Sequence, residues 1–412
     1  MSKAKSRFGS ALFIMPRSSK AWSGSAALWI TVAGWASAYE RKFGKTWIIT
    51  TDKIAQPDEV LQYPSSSSVS SLPKGNSLKW IPQFLKIVIK DIRLYLQTRN
   101  WIILERQPWA HDKVAFVWQQ HDLFSGPGRK LATKLNVPLV TYVHAPAVWE
   151  AAKWGVKRYI WGWFLERFVE THALKQSDLV ACVSVEVAEK LTQMGVDQNK
   201  ILVSPMAVDP FLFKMADANA TLKKELSLEN SFVIGWTGSF RSFHGLDLLV
   251  KAFQKVHKEE PNSKLFLVGD GAERKSMESL VEELNLSHAV IFAGSQPFAR
   301  IPSYVSVFDI AVVSARSVDG FHYSPLKLRE YLAAGKPVLA PIAGEIPSIF
   351  VNREHLLLYD INEPNSMSEG LQELIRDEAL RNELSSKGNE HVLRSGTWDV
   401  ELSKIIVKLN LA

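Results

Sequence analysis

At roughly 150 residues per domain, 412 residues indicate two or three domains and exclude a single small module. Apolar residues at 46% and charged residues at 22% exclude a disordered chain. The net charge of +7 is uneven: residues 1–210 carry 27 Lys and Arg against 16 Asp and Glu, and the rest carries 22 against 26. Twelve of the 14 Trp precede residue 164. A basic, aromatic half and a mildly acidic half therefore meet different partners.

In chain order, Lys3, Lys5 and Arg7 precede an apolar stretch too short for a signal-peptide core. That stretch, residues 11–15, reads as a buried strand. A Ser/Gly loop, a helix and a strand over 47–51 follow, the opening of a doubly wound sheet. Residues 21–39 hold no charge, but Ser23, Gly24, Ser25, Thr31, Gly34 and Ser37 make them a poor membrane span, so they read as a buried helix. Residues 64–71 are Ser-rich and read as a loop. Residues 77–99 read as a helix with Pro82 near its first turn. It has apolar Trp80, Ile81, Phe84, Leu85, Val88 and Ile92, and a basic side of Lys79, Lys86, Lys90, Arg93 and Arg99.

Strands over 114–118, 138–143, 179–183 and 201–203 continue the series. Cys182 is the one cysteine, which excludes an internal disulfide, and its apolar neighbours read as packing around a buried, inert thiol. Beyond residue 208 a second series begins, with strands over 232–236, 264–268, 290–293, 310–313, 338–340 and 356–359. Leu249, Ala252, Phe253 and Val256, spaced i, i+3, i+4, i+7, mark the helix after its first strand. The pattern predicts two successive α/β sheets.

The stretch SPLKLREYLAAGKPVL, residues 324–339, carries the chemistry. Ser324 suits an N-cap, Pro325 the first helical position and Gly335 the C-terminal stop, and Pro337 prevents continuation. A helix of about ten residues follows from these signals. Its free N–H groups, near the carboxyl end of the preceding strand, suit a phosphate. Lys327 adds charge in the first turn, and Glu330 is placed to accept hydrogen bonds from a ribose diol. A capped helix with a solvated glutamate fits the same pattern equally well.

This run resembles the donor-site motif of the retaining group 1 (family four) glycosyltransferases, and other stretches match in the expected order. Gly235-Trp236-Thr237-Gly238-Ser239-Phe240-Arg241-Ser242-Phe243-His244-Gly245 is similar to their first C-domain strand and phosphate loop. Gly269-Asp270-Gly271 followed by Glu273-Arg274 resembles their GDG turn, and Gly344-Glu345-Ile346-Pro347 their next donor-side loop. Pro205-Met206-Ala207-Val208-Asp209 resembles their interdomain segment, with Met206-Ala207 replacing Asn-Gly.

The resemblance implies the α/β GT-B fold: two Rossmann-like doubly wound domains facing across a cleft. Residues 1–208 would form the acceptor domain and 209–395 the nucleotide-sugar domain. A C-terminal helix over 396–412 would pack back towards the first. It implies a nucleotide diphosphate sugar donor and no cofactor. Glu330 would hold the ribose, Ser324, Pro325, Leu326 and Lys327 would meet the diphosphate, and Arg241 and Lys327 would stabilise the leaving group. Gly238, Ser239 and His244 would line the phosphate loop, although the family usually has Arg and Lys where Ser239 and His244 stand. The family pairs two glutamates eight positions apart. Here His322 takes the earlier position, leaving Asp319 or His322 to the donor sugar.

In the first domain, Gly24 would let the backbone approach a phosphate, and His144 ends a strand where the family often has a histidine near the reacting sugar. His121-Asp122 reads as a capped or surface pair. The chain has no Asp-x-Asp, so we expect metal independence. Trp149, Trp154, Trp161 and Trp163 lie with Lys153, Lys157 and Arg158 in an expected helix after His144. With the basic 77–99 helix they suit an anionic membrane and a lipid-linked or glycan acceptor, or else the rings pack in the core. No nucleic-acid motif is present. The expected location is cytoplasmic, peripheral at the inner face of the membrane. The competing readings are a catalytically weak sugar-nucleotide-binding subunit or sensor of the same fold, and a sugar-nucleotide epimerase.

Overall fold

A computed structural model describes residues 8–19, 26–61, 82–99 and 101–411. The readings of Lys3 to Arg7, of the Ser23–Ser25 loop with Gly24, of residues 64–71 and of residues 77–81 lie outside the described residues. The chain divides into two compact units. The first runs up to Met206 and includes Trp398 onwards; the second takes in Ala207–Thr397.

The first unit holds a seven-stranded sheet: β1 (Ser10–Ile14), β2 (Thr46–Ile49), β3 (Ile54–Ala55), β4 (Val114–Gln120), β5 (Leu139–Val143), β6 (Leu179–Cys182) and β7 (Ile201–Val203). Their spatial order is β3-β2-β1-β4-β5-β6-β7. β1, β4, β5 and β6 are buried along their whole length. Their continuous apolar runs suit parallel strands covered on both faces. Among the described strands only β3 is antiparallel, and it was not foreseen because two residues show no period. Cys182 is buried in β6, and burial pushes its thiol up to about 12.

Helix α1 (Ala26–Lys42) buries Trp29, Val32, Trp35 and Tyr39 against this sheet. The Trp35 ring meets Tyr142 at 5.5 Å and Trp398 at 5.2 Å. Trp398 opens the C-terminal helix Trp398–Lys408, which Arg41 secures through Asp399 at 2.5 Å. Among the described residues no helix is long and apolar enough to cross a membrane.

Helix α2 (Gln83–Gln97) starts one residue after Pro82, whose missing N–H and extended ψ of 143° suit the boundary. The single helix expected after His144 is corrected. Helix Ala147–Lys153 stops there, Gly155 adopts φ +78°, and helical structure resumes only at Gly162. Trp154 and Trp161 therefore stand outside regular helix.

The second unit holds β8 (Phe232–Thr237), β9 (Ser263–Val268), β10 (Val290–Gly294), β11 (Ile310–Val312), β12 (Val338–Pro341) and β13 (Leu357–Tyr359). All neighbours are parallel, in the order β10-β9-β8-β11-β12-β13. Apolar clusters cover both faces. Strand order reverses between β8 and β11, and in doubly wound sheets ligands bind beyond the carboxyl ends of the strands at such a point. Every strand expected from the sequence is present, its ends displaced by at most two residues.

Helix α3 (Leu246–Glu259) follows β8, and α4 (Leu326–Ala333) follows β11. α4 has eight residues and begins one residue later than expected. Pro325 occupies the N-cap position and no side chain caps the helix, which corrects the assignment of Ser324 as cap and Pro325 as first helical residue.

Candidate functional site

β8 ends at Thr237, where two ties fix the local geometry. The Thr237 N–H donates to the Tyr331 hydroxyl at 2.7 Å, and the two hydroxyls lie 2.9 Å apart, so α4 is pinned to the strand end. The following turn is laced to the turn after β9: Gly238 N–H donates to the Val268 carbonyl and Phe240 N–H to the Asp270 carbonyl, each at 2.9 Å. Gly269 has φ +143°, and a Cβ on it would fall 1.7 Å from the Gly238 oxygen. Only glycine permits that crossing.

Within this frame Lys327 extends beneath the Gly238 turn. Its Nζ lies 3.8 Å from the centroid of the Trp236 ring, and a Cβ on Gly238 would sit 2.7 Å from it. The ammonium is buried and has no hydrogen-bond partner among the described residues. Glu330, 6% exposed, follows one turn along α4. Burial, opposed by Glu330, pulls Lys327 down to about 7. Burial, opposed by Lys327, pushes Glu330 up to about 7. A desolvated ammonium with three unused donors, beside the free N–H groups of a helix start, is an arrangement completed by an anion.

The His244 ring packs at a tilt against Phe243, centroids 4.2 Å apart, and meets Trp236 edge-on at 5.5 Å. Burial, reinforced by the charges of Lys327 and Arg241, holds it well below the usual histidine range, so it is neutral at pH 7. Ser239 and Arg241 are exposed on the same turn. Arg316, which sequence reasoning did not single out, donates from Nε to the Ser242 carbonyl at 2.7 Å and pairs with Asp247.

The Ser324 hydroxyl is committed elsewhere. It donates to the Glu345 carboxylate and accepts from Arg329 Nη1 at 2.9 Å, while Arg329 Nη2 reaches Glu345 Oε1 at 3.0 Å. Both members of that ion pair are buried. Pro325 is buried and Leu326 half-buried beside it. His322 is buried, with Nδ1 2.8 Å from the Gly320 carbonyl, whereas Asp319 is exposed and its N–H donates to the Ser317 hydroxyl at 3.0 Å.

In the first unit His144 stands at the end of β5 with its ring edge-on to Tyr142 at 5.3 Å. Nε2 is buried without a hydrogen-bond partner among the described residues, and burial lowers the ring to about 4. Of the two readings of His121-Asp122, capped or surface, the surface one is corrected, since both residues are buried. His121 Nε2 lies 2.7 Å from Glu170 Oε1, and Glu170 also accepts the N–H groups of Ala147 and Val148. Asp122 pairs with Arg17. Trp236, Tyr331 and Glu170 are the contributors that sequence reasoning missed. The isolation of Trp236 in a Trp-poor half was the available signal for it.

Two parallel sheets, one with an anion-ready cradle at its point of strand reversal, define a two-domain α/β protein of the GT-B fold. The family model for group 1 glycosyl transferases matches residues 217–391, and that for glycosyltransferase family 4 matches residues 74–211, together about three quarters of the chain. The chain belongs to the group 1 glycosyltransferases. An uncharacterized glycosyltransferase of Methanocaldococcus jannaschii is 28% identical over 64% of this chain and 66% of its own length. A D-inositol 3-phosphate glycosyltransferase of Segniliparus rotundus is 25% identical over 74% of this chain and 67% of its own. The chain thus spans about two thirds of these relatives. Anabaena HepE, solved in complex with UDP, superposes with a TM-score of 0.64 at 16% identity, covering 98% of this chain and all of HepE.

Proposed function

We propose that the protein is a retaining glycosyltransferase that moves a sugar from a nucleotide diphosphate sugar to an acceptor hydroxyl, without a metal or cofactor. The observation that carries this reading is the buried Lys327 ammonium beside Glu330 under the Gly238 turn, with no hydrogen-bond partner among the described residues. HepE has been solved with UDP and with UDP-glucose, which favours a uridine nucleotide as donor.

In this reading Glu330 accepts the ribose hydroxyls. Lys327, Arg241 and the N–H groups of Leu326 and Lys327 hold the diphosphate, with Gly238, Ser239 and His244 around it and Ser324 and Pro325 shaping the helix start. When the anomeric C–O bond breaks, its electron pair moves onto a phosphate oxygen, and the fixed cations stabilise that charge. Asp319 or His322 contacts the sugar, and neutral His144 is the first unit's own candidate catalytic group. The acceptor is a lipid-linked or cell-surface glycan precursor, met by a cytoplasmic protein peripheral at the inner face of the membrane. The alternative, a weakly active sugar-nucleotide sensor, is favoured by Ser239 and by His244, which bring no charge to the loop.

A thermal-shift screen of nucleoside diphosphates, followed by donor hydrolysis with and without acceptors, tests the reading. Binding with slow hydrolysis supports the enzyme, and binding without turnover on any acceptor selects the sensor. Turnover in EDTA matches that without it; a loss restored by Mg²⁺ overturns metal independence.

The Lys327–Glu330 pair also sets a pH dependence. Diphosphate binding needs Lys327 charged, which is lost as pH rises through about 7. Ribose binding needs Glu330 charged, which is lost as pH falls through about 7. Nucleotide affinity, measured by calorimetry, should peak near neutrality and fall up to about tenfold per pH unit on either side.

A further inference from the structure

Helix α2 carries one acidic residue, Asp91, and it is turned inward. Its carboxylate accepts Arg158 Nε at 2.7 Å, Arg158 Nη2 at 2.8 Å and Trp161 Nε1 at 2.9 Å. Asp91 is buried and the Arg158 side chain is only 8% exposed. This clasp joins α2 to the irregular segment 154–161 and removes from the surface the one negative charge α2 possesses.

Two apolar, cationic faces remain outside the clasp. On α2, Phe84, Ile92, Tyr95 and Leu96 are exposed among Lys86, Lys90 and Arg93. On the second stretch, residues 157–168, Tyr159 is 81% exposed, Ile160 86% and Trp163 66%, with Phe168, Lys157 and Arg167 also exposed. The remaining acid there, Glu166, is paired with Lys190. So many uncovered rings and aliphatic chains without a free carboxylate are not an ordinary solvated surface.

We propose that these two faces, held together by the Asp91–Arg158–Trp161 clasp, dock the protein on an anionic phospholipid bilayer. Aromatic rings sit at the headgroup level and the cations meet lipid phosphates. A second copy of the chain would bring like charge against like charge. Nucleic acid or a soluble glycan would leave Ile92, Leu96 and Ile160 uncovered. The inference deepens the lipid-linked acceptor reading and rests on that reading for its purpose, while its physical basis is separate.

The test is sedimentation of the full chain with vesicles of phosphatidylcholine alone, and with about 30% phosphatidylglycerol added to supply surface charge. The expected result is binding to the anionic vesicles, weakened by salt. Each basic residue near such a surface contributes about a factor of five, so Lys86→Glu with Lys90→Glu should lower binding at least about thirtyfold. Ile160→Ser with Trp163→Ser should lower it comparably. UDP-induced thermal shifts of both variants should match the parent, which separates lost docking from misfolding. Absence from both vesicle pellets, equal binding to both vesicles, or variants that bind like the parent overturn the proposal. Self-association through this face, lost in the same variants, also overturns it. Vesicle binding without sugar transfer would leave the surface standing and defeat the enzymatic reading alone.

Discussion

Lys327→Met should leave the protein folded and no less stable at neutral pH, while sugar turnover falls about 10²–10³-fold, the usual effect of losing one donor to a developing oxyanion. The two outcomes have one origin. In the unfolded chain this lysine keeps its ordinary value of 10.5, whereas the folded state holds it near 7. Its folded value is depressed, so below pH 7 the folded state carries the full penalty of a buried charge. That penalty, on the order of a few kcal/mol, fades as pH rises from 7 and is gone above about 10.5. Methionine removes the charge and keeps the stem against Trp236. Glu330, left without the ammonium, stays protonated to higher pH because it is buried. Calorimetric Tm between pH 6 and about 9, alongside kcat, checks this. A large fall in Tm with unchanged kcat would make Lys327 a structural residue.

Glu330→Gln is the second large effect and acts on binding. A carboxylate accepts two hydroxyl hydrogen bonds, each worth about 1.5–3 kcal/mol when charge-assisted, whereas the amide keeps one acceptor and offers an NH₂. Nucleotide affinity should fall about a hundredfold. At a nucleotide concentration near one hundred times the parent Kd, the parent gains about 2.7 kcal/mol and the variant about 0.4 kcal/mol, so the thermal shift nearly vanishes. The acid limb of the pH profile should disappear as well. An unchanged shift in this variant would move the ribose site away from α4.

The sheets were legible in the sequence because parallel strands covered on both faces are unbroken apolar runs, such as residues 114–118 and 232–236. The position of α4 was legible from Pro325, Gly335 and Pro337. The chemistry around it was legible only in part, because side-chain contacts between distant residues leave no local period. Lys327 on the Trp236 ring, Thr237 on Tyr331 and Asp91 on Arg158 are all of this kind. The Ser324 hydroxyl fits the signature of a cap, yet a buried Arg329–Glu345 ion pair claims it. A surface position for His121 stayed open beside a capped one because Glu170, its partner, lies 49 positions away. The helix expected after His144 overlooked Gly155, whose left-handed backbone ends the regular structure.

The C-terminal helix has a consequence for anyone who edits the gene. Its Trp398 closes over Trp35, and Asp399 and Glu401 bind Arg41 and Ser204, all within the first unit. A nonsense or frameshift lesion just ahead of Trp398 therefore strikes the unit that runs up to Met206, although the unit encoded immediately upstream of the lesion is Ala207–Thr397. A fragment meant to reproduce the first unit needs the helix Trp398–Lys408 stitched back on, whereas Ala207–Thr397 is contiguous and can be cut out as one piece.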